Sequence, residues 1–192
     1  MALACGVPAC VRDAEPALCP EVVAGDLVIT ELRGAQSGGD TYGQWVELYN
    51  ASGGDLDLRG LHLEFTRIDG GAATRVIVRD SLPVSAGGYV VLGRGSAAAH
   101  PTVVDYPMGT DYAVSWFNAA GVKVTSCDLV IDAMQYSALP TGGTYSLGVA
   151  PPTATANDTA ASWCTNAQPG TDTTQLGLPG SPGATNPPCA IN

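Results

Sequence analysis

The feature that most constrains this fold is a series of short segments in which apolar and polar residues alternate, separated by turns. Leu61, Leu63 and Phe65 alternate with His62 and Glu64, which places the three apolar side chains on one face of a strand. The same pattern recurs at short intervals, which is typical of an all-β sandwich or barrel. It predicts nine strands, at residues 26–32, 44–50, 56–65, 74–79, 89–93, 112–117, 122–127, 129–136 and 144–148.

Composition divides the chain into one core-forming region and two irregular ends. With 45% hydrophobic residues, 24 Gly and 14 Pro, the 192 residues can bury one sizeable core, and no long helix is expected. Residues 26–148 hold the predicted strands and form the predicted sandwich. Residues 1–25 are predicted to be a Cys-containing N-terminal arm. Residues 149–192 are rich in Pro, Thr, Ala and Gly, so we expect an irregular tail that packs on the sandwich and ends with residues 181–186, SPGATN, and Cys189.

The charge balance excludes several classes of partner. Eight basic residues stand against 18 acidic ones, which gives a net charge of -10. A chain of this charge repels phosphate backbones and anionic lipid surfaces, so we expect no nucleic-acid binding. No apolar run approaches the ~20 residues that a membrane-spanning helix needs, so no transmembrane segment is predicted.

The cysteines indicate an oxidising compartment. They are even in number, dispersed, and contain no Cys-x-x-Cys pair, which favours disulfide bonds over a zinc site. We therefore predict a secreted protein, extracellular or on the bacterial cell surface. The sequence leaves the pairing open, with a preference for Cys164 with Cys189, which would close the tail. The six are Cys5, Cys10, Cys19, Cys127, Cys164 and Cys189.

The N-terminal residues raise one alternative for the first cysteine. Residues 2–5, ALAC, are similar to the end of a bacterial lipoprotein signal, which would make Cys5 a lipid anchor. We favour a disulfide, because a lipid on Cys5 would leave an odd thiol elsewhere. The first residues lack the charged and apolar parts of a secretion signal, so we expect any such signal to have been removed or to lie outside this sequence.

The segment 44–50, QWVELYN, carries the candidate chemistry. Trp45, Glu47 and Tyr49 share one face of the strand, so a carboxylate lies between two aromatic rings. If this strand pairs with residues 26–32 as a hairpin, Glu31 lies directly opposite Glu47. Two facing carboxylates destabilise a sheet unless they share a proton, bind a cation or have separate hydrogen-bond donors.

Two interpretations of Glu47 follow. In the first, the carboxylates form a catalytic pair or a Ca²⁺ site, with candidate oxygen ligands Glu31, Glu47, Asp40, Asp55 and Asp57. In the second, Glu47 accepts hydrogen bonds from backbone N–H groups of a neighbouring loop. We favour the second, because paired catalytic carboxylates need a cleft that nothing in the sequence predicts. Trp45, Glu47 and Tyr49 are then structural, no catalytic or cofactor-binding residue is predicted, and Glu47→Gln should lower thermal stability.

Six short motifs in register resemble the lamin tail domain family in its bacterial, secreted form. They are LVITEL at 27–32, WVELYN at 45–50, DLDLRG at 55–60, LPVSAGGYVVL at 82–92, VID at 130–132 with Tyr136, and SPGATN at 181–186. The resemblance extends from about residue 26 to residue 186 and implies an immunoglobulin-like β-sandwich. It also implies an interaction or scaffold module and not an enzyme. The nucleic-acid contacts of nuclear lamin tails do not fit the net charge of this chain.

The function expected from these observations is that of a non-catalytic extracellular structural or adhesive module. Its partners would be proteins or further copies of itself, bound through sheet edges and the N-terminal arm, as in a surface or filament subunit. The alternative is a carbohydrate- or Ca²⁺-binding accessory domain of a secreted enzyme system. The identity of the partner and the oligomeric state are left open by the sequence.

Overall fold

The computed structural model describes residues 18–37, 42–112, 116–167 and 179–190. Cys5, Cys10 and Asp40 lie outside the described residues. Among the described residues, no helix has the length and apolar character needed to cross a membrane.

The helical segments are α1 (Ala154–Asn157) and two 3-10 turns, Gly109–Tyr112 and Ala160–Ser162. The strands are β1 (Leu27–Arg33), β2 (Trp45–Asn50), β3 (Leu56–Asp57), β4 (Leu61–Arg67), β5 (Ala73–Ile77), β6 (Pro83–Val84), β7 (Tyr89–Gly93), β8 (Tyr106–Pro107), β9 (Ala120–Ser126), β10 (Leu129–Tyr136), β11 (Thr144–Leu147) and β12 (Trp163–Asn166).

The strands form an all-β sandwich, as the sequence predicts. One sheet has the order β12-β11-β1-β2-β7-β8, and the other has the order β10-β9-β4-β5. A small third sheet pairs β3 with β6. All pairs are antiparallel except β7 with β8. The immunoglobulin-like topology implied by the resemblance stays a prediction.

The core lies between the two large sheets. On β4, Leu61, Leu63 and Phe65 are fully buried while the residues between them are partly exposed, as the alternation predicts. Phe65 packs against Tyr112 and Trp116, with ring centroids 4.9 and 4.8 Å away. Each large ring buried in this way removes on the order of 150–250 Å² from water, so this cluster is a major source of stability.

The C-terminal tail is irregular only in part. Trp163–Asn166 forms β12 and pairs with β11, with Trp163 opposite Leu147 and Cys164 opposite Ser146. The predicted domain boundary at residue 148 therefore falls between two strands of one sheet. Trp163 explains the difference, because its bulky, nearly buried ring gives this Thr- and Ala-rich segment an apolar anchor in the main core.

The predicted strand at 112–117 is not formed by the residues described there. Tyr112 ends the 3-10 turn Gly109–Tyr112, and Trp116 and Phe117 belong to no strand. Asp111 accepts a hydrogen bond from the backbone N–H of Ile77 at 3.0 Å and pairs with Arg79 at 2.6 Å. These contacts hold the turn against the end of β5, so alternating apolar residues pack into the core without forming a strand.

Two disulfide bonds lie within the described residues. Cys19 bonds to Cys127 in the turn between β9 and β10, across 108 residues. Cys164 on β12 bonds to Cys189 across 25 residues, which is the pair preferred from the sequence. The first disulfide fastens the start of the described chain to the sandwich, and the second fastens its end.

Candidate functional site

The two candidate glutamates face each other on neighbouring strands. Val46 and Leu48 of β2 enter the main core, so Glu47 points to the opposite, outer face of its sheet together with Trp45. The pairing of β1 with β2 shifts by one residue between Ile29 and Glu31, and Glu31 becomes the direct partner of Glu47. This β-bulge at residue 30 brings two carboxylates together on one face.

Glu31 lies at the centre of a group of hydrogen-bond donors. It is fully buried. Its Oε1 accepts hydrogen bonds from the hydroxyl of Thr144, from the hydroxyl of Ser146 at 2.7 Å, and from the backbone N–H of Ser181 at 3.2 Å. Thr144 and Ser146 are two residues apart on β11, so both side chains lie on its outer face. Their hydroxyls and the loop N–H together supply the partners that a buried carboxylate requires.

Glu47 is also fully buried and has different partners. Its Oε1 is 2.7 Å from the hydroxyl oxygen of Thr30, and its Oε2 accepts a 2.6 Å hydrogen bond from the backbone N–H of Gly183. The sequence predicts a backbone donor from a neighbouring loop for this carboxylate, and Gly183 is such a donor. The loop comes from the far end of the chain, 136 residues away.

Burial changes the ionisation of both groups. Desolvation raises the pKa of Glu31, against the lowering effect of its three donors and of Arg33. Desolvation, and then the charge of Glu31, raises the pKa of Glu47 well above its ordinary value. Asp105 acts in the same direction on Glu47. Both carboxyls therefore hold protons more tightly than glutamates in water.

The segment that covers the pair is residues 179–190, named here the C-terminal strap. Beyond its contacts with the glutamates, it is held by Asn186, whose Nδ2 donates to the carbonyl of Thr30 at 2.9 Å. Ser181 Oγ donates to Asn186 Oδ1 at 2.6 Å, and Asn166 donates to Ser181. Gly180 needs to be glycine, because its φ is +116° and a Cβ would lie 2.8 Å from Thr144.

A third buried carboxylate lies on β10. Asp132 accepts hydrogen bonds from the backbone N–H of Ile29 at 2.7 Å and from Asn157 Nδ2, so it connects the two sheets and α1. Desolvation raises the pKa of Asp132 to about 6. Asn157 Oδ1 is buried and has no hydrogen-bond partner among the described residues.

Asp55 and Asp57, two further candidate calcium ligands, do not join Glu31 and Glu47 in a common site in the part of the chain that the structure describes. Asp57 accepts hydrogen bonds from the backbone N–H of Leu82 and from Ser81, and Asp55 accepts one from Ala86. Both carboxylates thus serve turns around the small β3–β6 sheet. No group of three or more His, Cys, Asp or Glu side chains suited to a metal occurs among the described residues.

The two aromatic neighbours of Glu47 pack differently. Trp45 is fully buried in a separate outer-face cluster with Val91 and Val104. Tyr49 is partly buried and lies 5.0 Å from Tyr89 between ring centroids. The Tyr89 hydroxyl donates to Thr185 of the strap at 3.2 Å. The face predicted from the alternation is therefore covered, not open as a cleft.

Exposed apolar side chains concentrate at one end of the sandwich. Of the five large hydrophobic residues exposed among those described, four lie within four residues of Cys19 or Cys127 in the chain: Leu18, Val23, Leu129 and Val130. Hydrogen bonds from Gly25 N to Ile131 O of β10 and from Ser126 Oγ of β9 to Pro20 O hold the N-terminal segment against these two strands. These four residues are named here the apolar patch. β10 is also an edge strand of its sheet.

A groove of about 610 Å³ runs beside the other half of β10. Met134 and Trp163 supply apolar surface, and Thr66, Lys123 and Gln135 supply polar groups. Asn157 also lines the groove, although its Oδ1 is buried from solvent. The groove has the size and the mixed lining of a small-ligand site.

Sequence reasoning missed the hydroxyl residues that satisfy Glu31. Thr144 and Ser146 lie two residues apart in a predicted strand, which was a usable signal for a polar outer face. Asp132 and Asn157 were also missed as a buried pair. Nothing local marks them, because Asn157 reaches Asp132 only through the packing of α1 on β10 and β1.

Comparisons with known proteins give this chain no family. No protein-family model matches it, and no curated protein sequence matches it at a significant level.

Proposed function

We propose that the protein is a non-catalytic extracellular interaction module with a lamin-tail-like, immunoglobulin-like sandwich. The buried glutamates support a structural role for the polar centre. Glu31 and Glu47 are fully buried, and the oxygens of both are already engaged by hydrogen bonds from the protein. A catalytic carboxylate has to reach its substrate, and these two are covered by the strap. The disulfides fit an oxidising location outside the cell.

The observation that carries the proposal is the apolar patch. Its four side chains have exposed fractions of 44 to 62% and lie around one disulfide. Four exposed apolar side chains grouped at one end of a sheet favour a contact site for another protein. Here the apolar patch adjoins the edge strand β10, whose backbone is already bonded to Gly25 of the N-terminal segment at Ile131, so the contact would be made mainly by apolar side chains. The partner is a second copy of the chain. A head-to-tail contact repeated through this patch would build a filament, and a two-fold contact would build a dimer.

Paired substitutions test self-association through the patch. The variant Leu129→Lys with Val130→Lys places two charges in the contact, and Ile68→Lys is the matched control. Ile68 is the fifth exposed hydrophobic residue, 56% exposed, in the β4–β5 turn at the opposite end of the sheet. We expect the wild type and Ile68→Lys to gain mass with concentration in sedimentation and light scattering. The double variant should bind itself at least about tenfold more weakly. A wild type that stays monomeric throughout overturns the proposal.

A second candidate function is carbohydrate binding in the groove beside β10. The size of the groove and its polar side chains around an indole favour it. Calorimetry against a glycan panel tests it. We expect one class of glycan to bind the wild type and His62→Ala, whose side chain lies outside the groove, and Gln135→Ala to weaken binding at least about tenfold. Absence of heat with every glycan contradicts this candidate.

A further inference from the structure

The strap covers two carboxylates without bringing any charge. Residues 179–190, PGSPGATNPPCA, contain no acidic or basic side chain. Its contribution to the pair consists of the backbone N–H groups of Ser181 and Gly183. Dipoles of this kind support one buried anion well, but they compensate poorly for a second anion beside it.

The residues around the two glutamates bring one positive charge, on Arg33, and a third negative charge, on Asp105. Arg33 on β1 acts favourably on Glu31. Asp105 acts unfavourably on Glu47, and Tyr89 of β7 faces it as a neutral hydroxyl. Two ionised glutamates would therefore leave an uncompensated negative charge under the strap.

The hydrogen bonds show where one proton fits. Three donors converge on Glu31, from Thr144, Ser146 and Ser181, and this arrangement suits an ionised carboxylate. Glu47 lies 2.7 Å from Thr30 Oγ1, and the same hydroxyl is 3.4 Å from the carbonyl of Glu47. A protonated Glu47 can thus donate to Thr30, while the Thr30 hydroxyl donates to that carbonyl.

We propose that Glu31 and Glu47 share one proton, carried mainly by Glu47, and that this proton holds the C-terminal strap on the sheet. When the proton is lost, the strap loosens and water reaches the two carboxylates. The Cys164–Cys189 disulfide keeps the loosened strap attached to β12. This proton-dependent latch does not depend on the function proposed above.

The direction of the pH effect follows from linkage. Burial of Glu47 beside Glu31 under the strap raises its pKa, and this effect outweighs the lowering effect of the Thr30 hydroxyl and of the Gly183 N–H of the strap. The closed state therefore binds the proton more tightly than an open state in which water reaches the carboxyl. Closure is therefore most stable below the ordinary glutamate pKa of 4.5 and weakens as pH rises toward the raised pKa. Within that window the opening equilibrium grows by up to about tenfold per pH unit, and above it the effect levels off. Asp132 titrates nearby but bonds to Ile29 and Asn157, not to the strap.

Nuclear magnetic resonance can follow the latch directly. Hydrogen-exchange protection of the Ser181 and Gly183 amides, corrected for intrinsic exchange, should fall by more than about tenfold across the window. The Leu58 amide, bonded to Leu82 O, is the internal reference and should not change with them. The carboxyl carbon of Glu47 should titrate at the same pH at which protection falls. Unchanged protection from pH 4 to pH 9, or titration of Glu47 at a different pH, overturns the latch.

Two amide variants separate the proton from the hydrogen bonds. Glu47→Gln mimics the protonated side chain, so the strap should stay closed at every pH, and at acidic pH the variant should unfold within about 2 °C of the wild type. This replaces the general loss of stability expected from the sequence. Glu31→Gln removes the anion that the three donors on Oε1 stabilise and places an amide N–H₂ at the Oε2 position, against the Ser181 N–H at 3.3 Å, so the strap should open more readily at every pH. Asp55→Asn, in an exposed turn, should keep the wild-type dependence of strap opening on pH.

Equal pH-dependent opening of the strap in Glu47→Gln and in the wild type overturns the latch. If Glu47→Gln does not fold, the titration of the wild type decides.

Discussion

Single buried carboxyl groups connect distant parts of this molecule. Asp132 lies on one sheet and accepts a hydrogen bond from Ile29 on the other, directly before the β-bulge. Asn157 adds a second donor from α1. A bulge disturbs the ladder of backbone hydrogen bonds, and a side chain from another element can satisfy the N–H group that it leaves. Asp132 is only 5% exposed, so its ionisation is tied to folding.

Replacing Asp132 by Asn should change how stability depends on pH. Burial raises the pKa of Asp132 to about 6, so the folded state binds this proton more tightly than the unfolded state. Its contribution is fully present below the ordinary pKa of 3.8 and is lost as pH rises to about 6. The free energy of unfolding of the wild type, minus that of Asp132→Asn, should fall by about 2 to 3 kcal/mol between pH 4 and pH 7. Urea unfolding at several pH values measures this difference, and a flat difference contradicts the prediction.

At the level of elements, strands with strong alternation were predictable, and strands created by pairing were not. The predicted strand at 129–136 coincides with β10, Leu129–Tyr136. By contrast, β12 has the sequence WCTN, with a single large apolar residue, and it is a strand because β11 offers a free edge. At residues 112–117 a strand was predicted and none is formed by the described residues. The prediction was wrong because Tyr112 and Trp116 have the spacing of apolar residues on one face of a strand. Their packing on Phe65 satisfies that pattern from a turn.

The candidate site shows the same division between local and distant information. The placement of Glu31 opposite Glu47 follows from a hairpin register that the sequence allowed but did not require. The structure reaches it through a bulge, since the pairing before residue 30 is offset by one residue from the pairing after it. The loop that satisfies the pair was one of the quoted motifs, SPGATN. Its contact with β1 and β2 was not predictable, because nothing local specifies a docking partner 136 to 150 residues away.

For the whole molecule, the two disulfides fasten both described ends of the chain to one sandwich. Cys19–Cys127 joins residues 108 apart, and Cys164–Cys189 joins residues 25 apart. A crosslink restricts the unfolded chain more when it closes a longer loop. The first should therefore contribute more to stability than the second.

Paired Cys→Ser variants test this order. Removing Cys19–Cys127 should lower the free energy of unfolding by about 5 kcal/mol, and removing Cys164–Cys189 by about 3.5 kcal/mol. Urea titration of each double variant beside the wild type measures both values, and each variant is the matched control for the other. If removal of Cys164–Cys189 lowers the free energy of unfolding more than removal of Cys19–Cys127, the prediction is wrong. Contacts in the folded state, such as those of the strap, then contribute more than chain entropy.

The sequence by itself determined that this chain is an all-β sandwich with one core, because alternation and turn chemistry are local properties that each segment carries with it. It also identified Glu47 as a carboxylate that needs partners. Only the tertiary structure decided which partners these are: the facing Glu31, aligned by a bulge, the hydroxyl of Thr30, and the N–H of Gly183 in an uncharged strap. The pKa values of the two glutamates depend on their desolvation and on the distance between them. Both are fixed by the tertiary structure, because the strap that covers the glutamates is 136 to 150 residues away in the chain.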